Sequence, residues 1–377
     1  MKEIYFKKFF YHIIYITLYV IFFVYLFPKI LSSSANVIEA KKYILIVGDF
    51  NNEGSFGQNV LDGFQIALNE KGKNKTLFSY ETISVDERVV ENVSGSINYE
   101  TKEVHEKLKS ELIDRISSKS VLCIISANNS QTLRPCLEIG RTFNIPVLIT
   151  VATSDIDKEF NDIFCRLPAN NKKQATCIIN WMNRIGVTPS SYFGVLYSPT
   201  IYGTGLLREL QKQVDFEKLI PFTINTTTDM VGTINYGNDI KISGWVSLSY
   251  LKEAIEIQLK KEKLIPQKPI LFSDGAYGSW IEKVNRKKEE LYLSFPETYP
   301  DKNKKIDKVN GFGVFGYDAY WIIDNCLNNS IDKRAFNEKL FLFENISSSQ
   351  LIQKYKFSNG ENINSKFKVY KIDEDLP

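Results

Sequence analysis

The sequence has few of the residues on which metal and catalytic sites depend. Its 377 residues include two histidines, His12 and His105, and five cysteines that form no Cys-x-x-Cys pair. Zinc sites are built mainly from these two residue types, so a structural zinc site is not expected. A Ser-His-Asp arrangement would have to use His105, which lies in a Lys- and Glu-rich helical pattern typical of a solvated face. We therefore expect no metal site, no cofactor and no enzyme activity.

Complete phosphate-binding loops are missing as well. The stretch VLYSPTIYGTGLLRELQKQV (residues 195–214) contains Gly203-x-Gly205, but Arg208 stands where a dinucleotide fingerprint needs its third glycine. The stretch also lacks the Gly-Lys-Ser/Thr that ends a P-loop. It still predicts a strand, a turn and a helix, and the turn must serve something other than a phosphate.

Charged residues are absent from one long run near the N-terminus. No charge occurs between Phe9 and Pro28, and three lysines precede this run. About 20 apolar residues suffice to cross a membrane as a helix, whereas Ser33-x-Ala35 offers the small residues that signal peptidase prefers. Residues 1–40 are therefore predicted to be either a cleaved signal peptide or an anchor that contacts the membrane through residues 9–28. Both alternatives place the remainder in a periplasmic or other extracytoplasmic compartment.

The remainder of the chain has no excess of positive charge. The formal net charge is +3, and residues 1–35 carry four lysines and one glutamate, so the rest is neutral. Nucleic-acid binding depends on clustered lysine and arginine that neutralise phosphates. We therefore expect no nucleic-acid partner.

The cysteines indicate buried thiols. Cys123 lies in the apolar run VLCIIS, and Cys177 and Cys326 lie in helical patterns. Free thiols in such places behave as small apolar residues. The alternative is one disulfide, for which Cys123 and Cys136 are the candidates.

From Lys42 onward, short apolar runs alternate with helical patterns. The runs 43–50, 121–126 and 145–153 read as strands, and GQNVLDGFQIALNEKG (57–72) reads as a helix. In that helix an apolar face is formed at helical spacing by Val60, Phe64, Ala67 and Leu68. The alternation restarts after IFCRLPAN (163–170). Two successive α/β units are predicted, with polar loops at the carboxyl ends of their strands, where ligands of such sheets bind.

The order of these elements resembles the type I periplasmic binding proteins. The closest likeness is to the branched-chain amino-acid (Leu/Ile/Val-type) substrate-binding family of ABC transporters, and it runs from about Tyr43 to Tyr370. Each motif alone is a weak signal, but the order of the motifs along the chain is specific to this family. The motifs are GSFGQNVLDGFQIALNE, VLCIISANNSQTLRP, IPVLITVATSD, IFCRLPANNKKQA, YSPTIYGTG, GYDAYWI and KYKFSNGENINSKFKVYKI.

The resemblance implies an α/β fold of two Rossmann-like, three-layer lobes with parallel-rich sheets. Lobe 1 would comprise residues 41–164 and 297–346, and lobe 2 residues 165–296 and 347–377. The lobes would be joined by a hinge of three crossovers, near Phe164–Pro168, Leu291–Tyr299 and Ile346–Lys354.

The resemblance also implies a function without catalysis. The protein would capture a small amino acid or a related amide between its lobes and deliver it to a membrane ABC permease. The alternative is a membrane-tethered sensor or scaffold domain that has the same fold and feeds no transporter. A retained helix at residues 9–28 would favour that alternative.

Eight residues match binding positions of the family or the walls of its cleft. Ser130, Ala152 and Thr153 would take the carboxylate of the ligand. Asp274, helped by Tyr202, would take its ammonium. The set is Phe56, Asn129, Ser130, Ala152, Thr153, Tyr202, Asp274 and Phe312.

Each of these residues also has a plain structural interpretation. Ser130 is placed to cap a helix, Asp274 precedes a glycine as in a common turn, and either phenylalanine suits a core. The sequence departs from the family where Ser126-Ala127 replaces Gly-Pro and where Asn129 replaces a small residue or serine. These departures lie at the predicted cleft, so the resemblance does not define the side chain of the ligand.

Overall fold

The structure is a computed structural model that describes twelve ranges of the chain. These are 41–51, 55–72, 75–86, 99–185, 192–214, 218–224, 242–250, 268–278, 290–297, 311–328, 332–345 and 351–372. Two predicted segments lie outside them: the signal or anchor segment (1–40) and LKEAIEIQLKKEK (251–263), whose sequence pattern predicts a helix. Within this part of the chain, no helix combines the length and the apolar character needed to cross a bilayer.

The helices of the described part follow the predicted alternation with strands. They are α1 (Phe56–Lys71), α2 (Tyr99–Ser118), α3 (Leu133–Thr142), α4 (Asn171–Arg184), α5 (Ile201–Gln213), α6 (Gly313–Leu327) and α7 (Lys333–Phe341).

The strands form two separate sheets. The first sheet contains β1 (Lys42–Gly48), β2 (Ser79–Ser84), β3 (Ser120–Ala127), β4 (Val147–Ile149), β5 (Phe164–Arg166), β11 (Glu344–Asn345), β12 (Tyr355–Ser358) and β13 (Glu361–Asn362). The second contains β6 (Tyr192–Tyr197), β7 (Leu219–Thr223), β8 (Ile242–Leu248), β9 (Ile270–Phe272), β10 (Leu291–Pro296) and β14 (Phe367–Lys371).

The two sheets repeat one strand order. Five parallel strands run β2-β1-β3-β4-β5 in the first sheet and β7-β6-β8-β9-β10 in the second. This is the order of doubly wound α/β folds, in which ligands bind beyond the carboxyl ends of the strands. Antiparallel pairs occur only at the added strands of the described part, where β14 joins β10 and β12 joins β11 and β13. The predicted fold of two parallel-rich α/β units is confirmed.

Helix α1 begins and ends where the sequence predicts. Ser55 caps its N-terminus by accepting a hydrogen bond from the Gln58 amide (3.1 Å), and Gly72 ends it at a φ of 85°. The predicted apolar face is buried. This face fixes α1 against the first sheet and against α6, and so positions the loop that precedes α1.

Strand β3 has the buried, apolar character that its sequence indicates. All of its residues after Ser120 are buried, as expected for a parallel strand covered by helices on both faces. The five cysteines are free; four are buried, and Cys177 is half-buried. The alternative disulfide between Cys123 and Cys136 is not formed.

The chain passes between the sheets three times, and the third passage differs from the predicted one. The first two lie between β5 and β6 and between β10 and α6. The third lies between Asn362 and Phe367, beyond the predicted Ile346–Lys354, because β12 and β13 still belong to the first sheet. Asn362 holds β13 there by donating to the carbonyl of Leu167 (3.2 Å). The division of the remaining residues into lobes stays a prediction.

Candidate functional site

The structure brings all eight predicted site residues to one cavity. Three further residues, Val151, Tyr250 and Gly275, complete its lining. The lining residues follow the carboxyl ends of strands from both sheets. Parallel strands deliver their loops to one edge of a sheet, which is why residues far apart in the chain meet here.

The cavity is small. About 230 Å³ of space lies among the lining residues, including the part open to solvent, and the centre of a water molecule can occupy about 20 Å³ of it. A water molecule needs on the order of 10–15 Å³ by that measure. The walls must therefore move apart before an organic ligand can enter.

One wall presents two hydroxyl groups from the first sheet. Ser130 follows β3, and its Oγ accepts a hydrogen bond from the amide of Ser154 (3.3 Å). Thr153 follows β4; in the amide orientation that satisfies its neighbours, Asn171 donates to Thr153 Oγ1 (2.8 Å). A hydroxyl carries one proton to donate. In the contacts described, both hydroxyls accept, so each keeps its own proton for a ligand.

The loop that carries Ser130 is braced by its neighbour. Asn129 Oδ1 accepts hydrogen bonds from the amides of Gln131 (2.9 Å) and Thr132 (3.3 Å). Asn129 thus lines the cavity and also closes the turn before α3. Ser130 is not the N-cap of that helix, which is Thr132. The alternative interpretation of Ser130 as a capping residue is therefore not what the structure shows.

The opposite wall presents a buried carboxylate from the second sheet. Asp274 follows β9 in a short 3₁₀ turn, Asp274–Ala276, and is 2% exposed. Its Oδ1 accepts hydrogen bonds from the hydroxyl of Tyr202 and from Nε2 of Gln174 (2.8 Å). Neither bond uses Oδ2. Asp274 therefore forms the turn that its sequence suggests and also places a carboxylate in the cavity lining.

Burial shifts the protonation of both members of this pair. Removal from water raises the pKa of Asp274 from its ordinary value of 3.8 to about 6, although the hydrogen bonds from Tyr202 and Gln174 oppose that rise. Burial, together with the charge of Asp274, raises the pKa of Tyr202 well above its usual range. Near neutral pH the wall therefore holds a protonated phenol beside an ionised carboxylate.

This shift predicts a pH-dependent stability. The folded state binds the Asp274 proton more tightly than the unfolded state, so the free energy of unfolding falls as pH rises from about 4 to 6. Above pH 6 the free energy of unfolding is lower by about 3 kcal/mol than it is below pH 4. Asp274→Asn lacks this group, so its stability relative to wild type should increase over that pH range and then level off. Urea denaturation at pH 4.5, 5.5 and 7 measures this; a constant difference would contradict it.

Aromatic side chains close a third side of the cavity. The rings of Phe56 and Phe312 meet edge to face with centroids 5.0 Å apart. Phe312 also packs against Phe295 (5.0 Å) and Tyr277 (6.3 Å), and it is 1% exposed. Both proposed interpretations of Phe312 therefore apply, since it belongs to the core and to the wall.

One hydrogen bond joins the two walls directly. Oε1 of Gln131, next to Ser130, accepts from the amide of Ile201, next to Tyr202 (2.7 Å). Ile201 is the first residue of α5, and such an amide has no partner within its own helix. The carbonyl of Gln131 is itself held by His105 Nε2 (2.8 Å). Gln131 thus connects the loop after β3 to the start of α5.

Three residues that form or support the site were not predicted from the sequence: Gln131, Gln174 and Tyr250. Tyr250 follows β8 as Asp274 follows β9, so its place after a strand was a signal that could have found it. Gln131 lies beside Ser130 in the loop after β3 and carries the same signal, whereas Gln174 lies within a helix and carries none. Only the packing of α4 and α5 beside the cavity gives the two glutamines their partners.

Comparisons with known proteins support the fold. No protein-family model and no curated protein matches the sequence. Three solved structures share the architecture. The branched-chain amino acid transporter substrate-binding protein LivJ from Streptococcus pneumoniae, in complex with isoleucine, is 14% identical with a TM-score of 0.66, covering 88% of this chain and 100% of its own.

The second, the leucine-binding protein LivK from Thermotoga maritima, is 17% identical with a TM-score of 0.66, covering 87% of this chain and 98% of its own. The third, a type 1 periplasmic binding protein from Bordetella pertussis, is 13% identical with a TM-score of 0.67, covering 88% and 96%. The chain therefore has the fold of the type I periplasmic binding proteins, as the order of its sequence motifs predicts.

Proposed function

We propose that the protein is an extracytoplasmic solute-binding protein that holds a small amino acid, or a related amide, between two lobes and delivers it to an ABC permease. One observation carries the proposal. Two hydroxyls with protons to donate, on Ser130 and Thr153, line the same cavity as the buried carboxylate of Asp274. An α-amino acid needs this pairing, because it carries an anion and a cation on one carbon atom.

The hydroxyl wall suits the carboxylate of the ligand. Ser130 and Thr153 would each donate one hydrogen bond to it. Hydrogen bonds to a charged acceptor are stronger than those between neutral groups. Among the described residues that line the cavity there is no lysine or arginine, so neutral donors would hold the ligand carboxylate, and Asp274 would balance the charge of the ligand ammonium.

The carboxylate wall suits the ammonium. Oδ1 of Asp274 is held by Tyr202 and Gln174, which leaves Oδ2 to accept from a ligand. A cation at this place would also relieve the cost of burying the carboxylate. Bound ammonium should therefore lower the pKa of Asp274 below its value of about 6 in the free protein.

The architecture suits capture by closure. Each wall comes from a different sheet, so relative motion of two lobes would open and close the cavity. A ligand that contacts both walls favours the closed form by its differential affinity for it. Two solved substrate-binding proteins of this fold, one in complex with isoleucine and one in complex with leucine, support closure on such a ligand. The likeness to substrate-binding proteins of ABC transporters supports an ABC permease as the partner.

Calorimetry tests the proposal most directly. The full protein would be titrated with single amino acids, urea-like amides and purely anionic acids. Small-angle scattering would be measured with and without each compound. We expect a zwitterionic amino acid to bind and to reduce the radius of gyration. A protein that binds only an uncharged or a purely anionic compound would overturn the amino-acid assignment.

Replacing Gln131 should weaken closure without touching the ligand. Gln131→Ala removes the bond to the Ile201 amide, and a net hydrogen bond contributes about 0.5–1.5 kcal/mol. We expect an affinity loss of about two- to tenfold, seen as faster dissociation in stopped-flow measurements. Gln131→Glu keeps an acceptor at the helix N-terminus and serves as the control, which should dissociate as slowly as wild type. An unchanged rate in Gln131→Ala would contradict this role.

A further inference from the structure

The side chain of Gln174 contacts three residues on the Asp274 side of the cavity: Asp274, Tyr202 and Ser294. It is fully buried in the first turn of α4. Its Nε2 donates to Oδ1 of Asp274 (2.8 Å) and to Oγ of Ser294 in β10 (3.0 Å), and lies 3.5 Å from the Tyr202 hydroxyl. The amide orientation is fixed by these partners. Turning it over would set Oε1 against the carboxylate.

This arrangement leaves one polar atom unsatisfied. Oε1 of Gln174 is buried and has no hydrogen-bond partner among the described residues. An unsatisfied buried acceptor costs free energy, and an apolar side chain at this place would avoid that cost. Stability of the fold therefore does not explain a glutamine at this position, and the hydrogen bond from its Nε2 to Asp274 does.

We propose that Gln174 is a positioning residue that keeps Asp274 ionised and fixes its Oδ1, so that Oδ2 is left for the ammonium of a ligand. The part about the ammonium rests on the proposed function. The part about ionisation concerns the free protein alone and can be tested without any ligand.

Neutral donors surround the carboxylate. The titratable side chain that contacts Asp274 is Tyr202, which stays protonated because burial raises its pKa well above its usual range. Backbone amides of the 3₁₀ turn also favour the ionised form. Gln174 and Tyr202 are therefore the two side chains that oppose the effect of burial on Asp274.

The ionisation of Asp274 can be followed by NMR of the full protein labelled with ¹³C at aspartate carboxyls. Asp274→Asn identifies the signal. Gln174→Met removes the donor with little change in shape. We expect the titration midpoint of Asp274 to rise by about one to two pH units, because a hydrogen bond to a charged group is lost. Ser294→Ala is the matched control, since it removes the other partner of Nε2 and should leave the midpoint near 6.

The binding of amino acids gives the second readout. In Gln174→Met, affinity should fall about tenfold at pH 6.5 and recover near pH 8.5, where Asp274 is ionised in both proteins. A purely structural role would lower affinity equally at both pH values. If the midpoint moves but wild type binds no amino acid, the proposed function fails while the role of Gln174 in ionisation stands. An unmoved midpoint overturns the inference.

The unmodified protein offers a test that does not depend on folding of the variant. The side-chain amide signals of Gln174 should titrate with the same midpoint as the carboxyl signal of Asp274, because protonation weakens the bond that joins them. Amide signals that do not change with pH across that midpoint would overturn the inference as well.

Discussion

Replacing Asp274 with alanine should abolish amino-acid binding at micromolar concentrations. The variant leaves the ammonium of the ligand unpaired in a site that excludes water, and removal of one partner of a buried charge pair costs about 2–5 kcal/mol. That range corresponds to an affinity loss between about thirtyfold and several thousandfold. Calorimetry at pH 7.5, where wild-type Asp274 is ionised, measures the loss.

Two further variants make this result specific. Asp62→Ala removes an exposed carboxylate on α1 whose partner is Gln58 (2.6 Å), and should bind as wild type does. Asp274→Asn keeps the shape of the side chain and removes its charge. It should lose amino acids yet retain an uncharged amide, so it separates the two ligand classes of the proposal. Normal amino-acid binding by Asp274→Ala would show that the ammonium is held elsewhere.

Three of the predicted site residues share a feature that is visible in the sequence. Ser130, Thr153 and Asp274 each come shortly after an apolar run that predicts a buried strand. In a parallel sheet such positions converge, so the pattern of strands predicts their proximity without knowledge of the packing.

Other features depend on packing that no local pattern encodes. Gln174 lies in an amphipathic helix among polar residues, and it is buried because α4 packs beside β10 and the turn at Asp274. The third passage between the sheets was misplaced because β11 and β13 have two residues each. Strands of that length have no hydrophobic alternation to recognise.

The contact between α1 and α6 shows how the sequence sets the position of the Phe56 and Phe312 wall. These helices carry those residues at or just before their first turns, and they approach each other at glycines. A Cβ at Gly63 would lie 1.9 Å from the Gly313 carbonyl oxygen, and one at Gly316 would lie 1.9 Å from that of Val60. Only glycine allows two helix backbones to come so close.

Gly63→Ala and Gly316→Ala should therefore be among the most destabilising single substitutions in the described part. A methyl group cannot share space with a backbone carbonyl, so the helices must separate, and overpacking of a core costs about 1–3 kcal/mol or more. We expect the upper end of that range in urea denaturation, because the clash is with backbone rather than a movable side chain. Gly205→Ala, also in a helix, meets only the side-chain amide of Asn171 at 3.2 Å and is the matched control. Since Gly63 and Gly316 lie in one contact, separation caused by one substitution should reduce the cost of the other, making the double variant less destabilised than the sum. Full additivity, or stability equal to that of Gly205→Ala, would show that the two helices do not pack through these glycines.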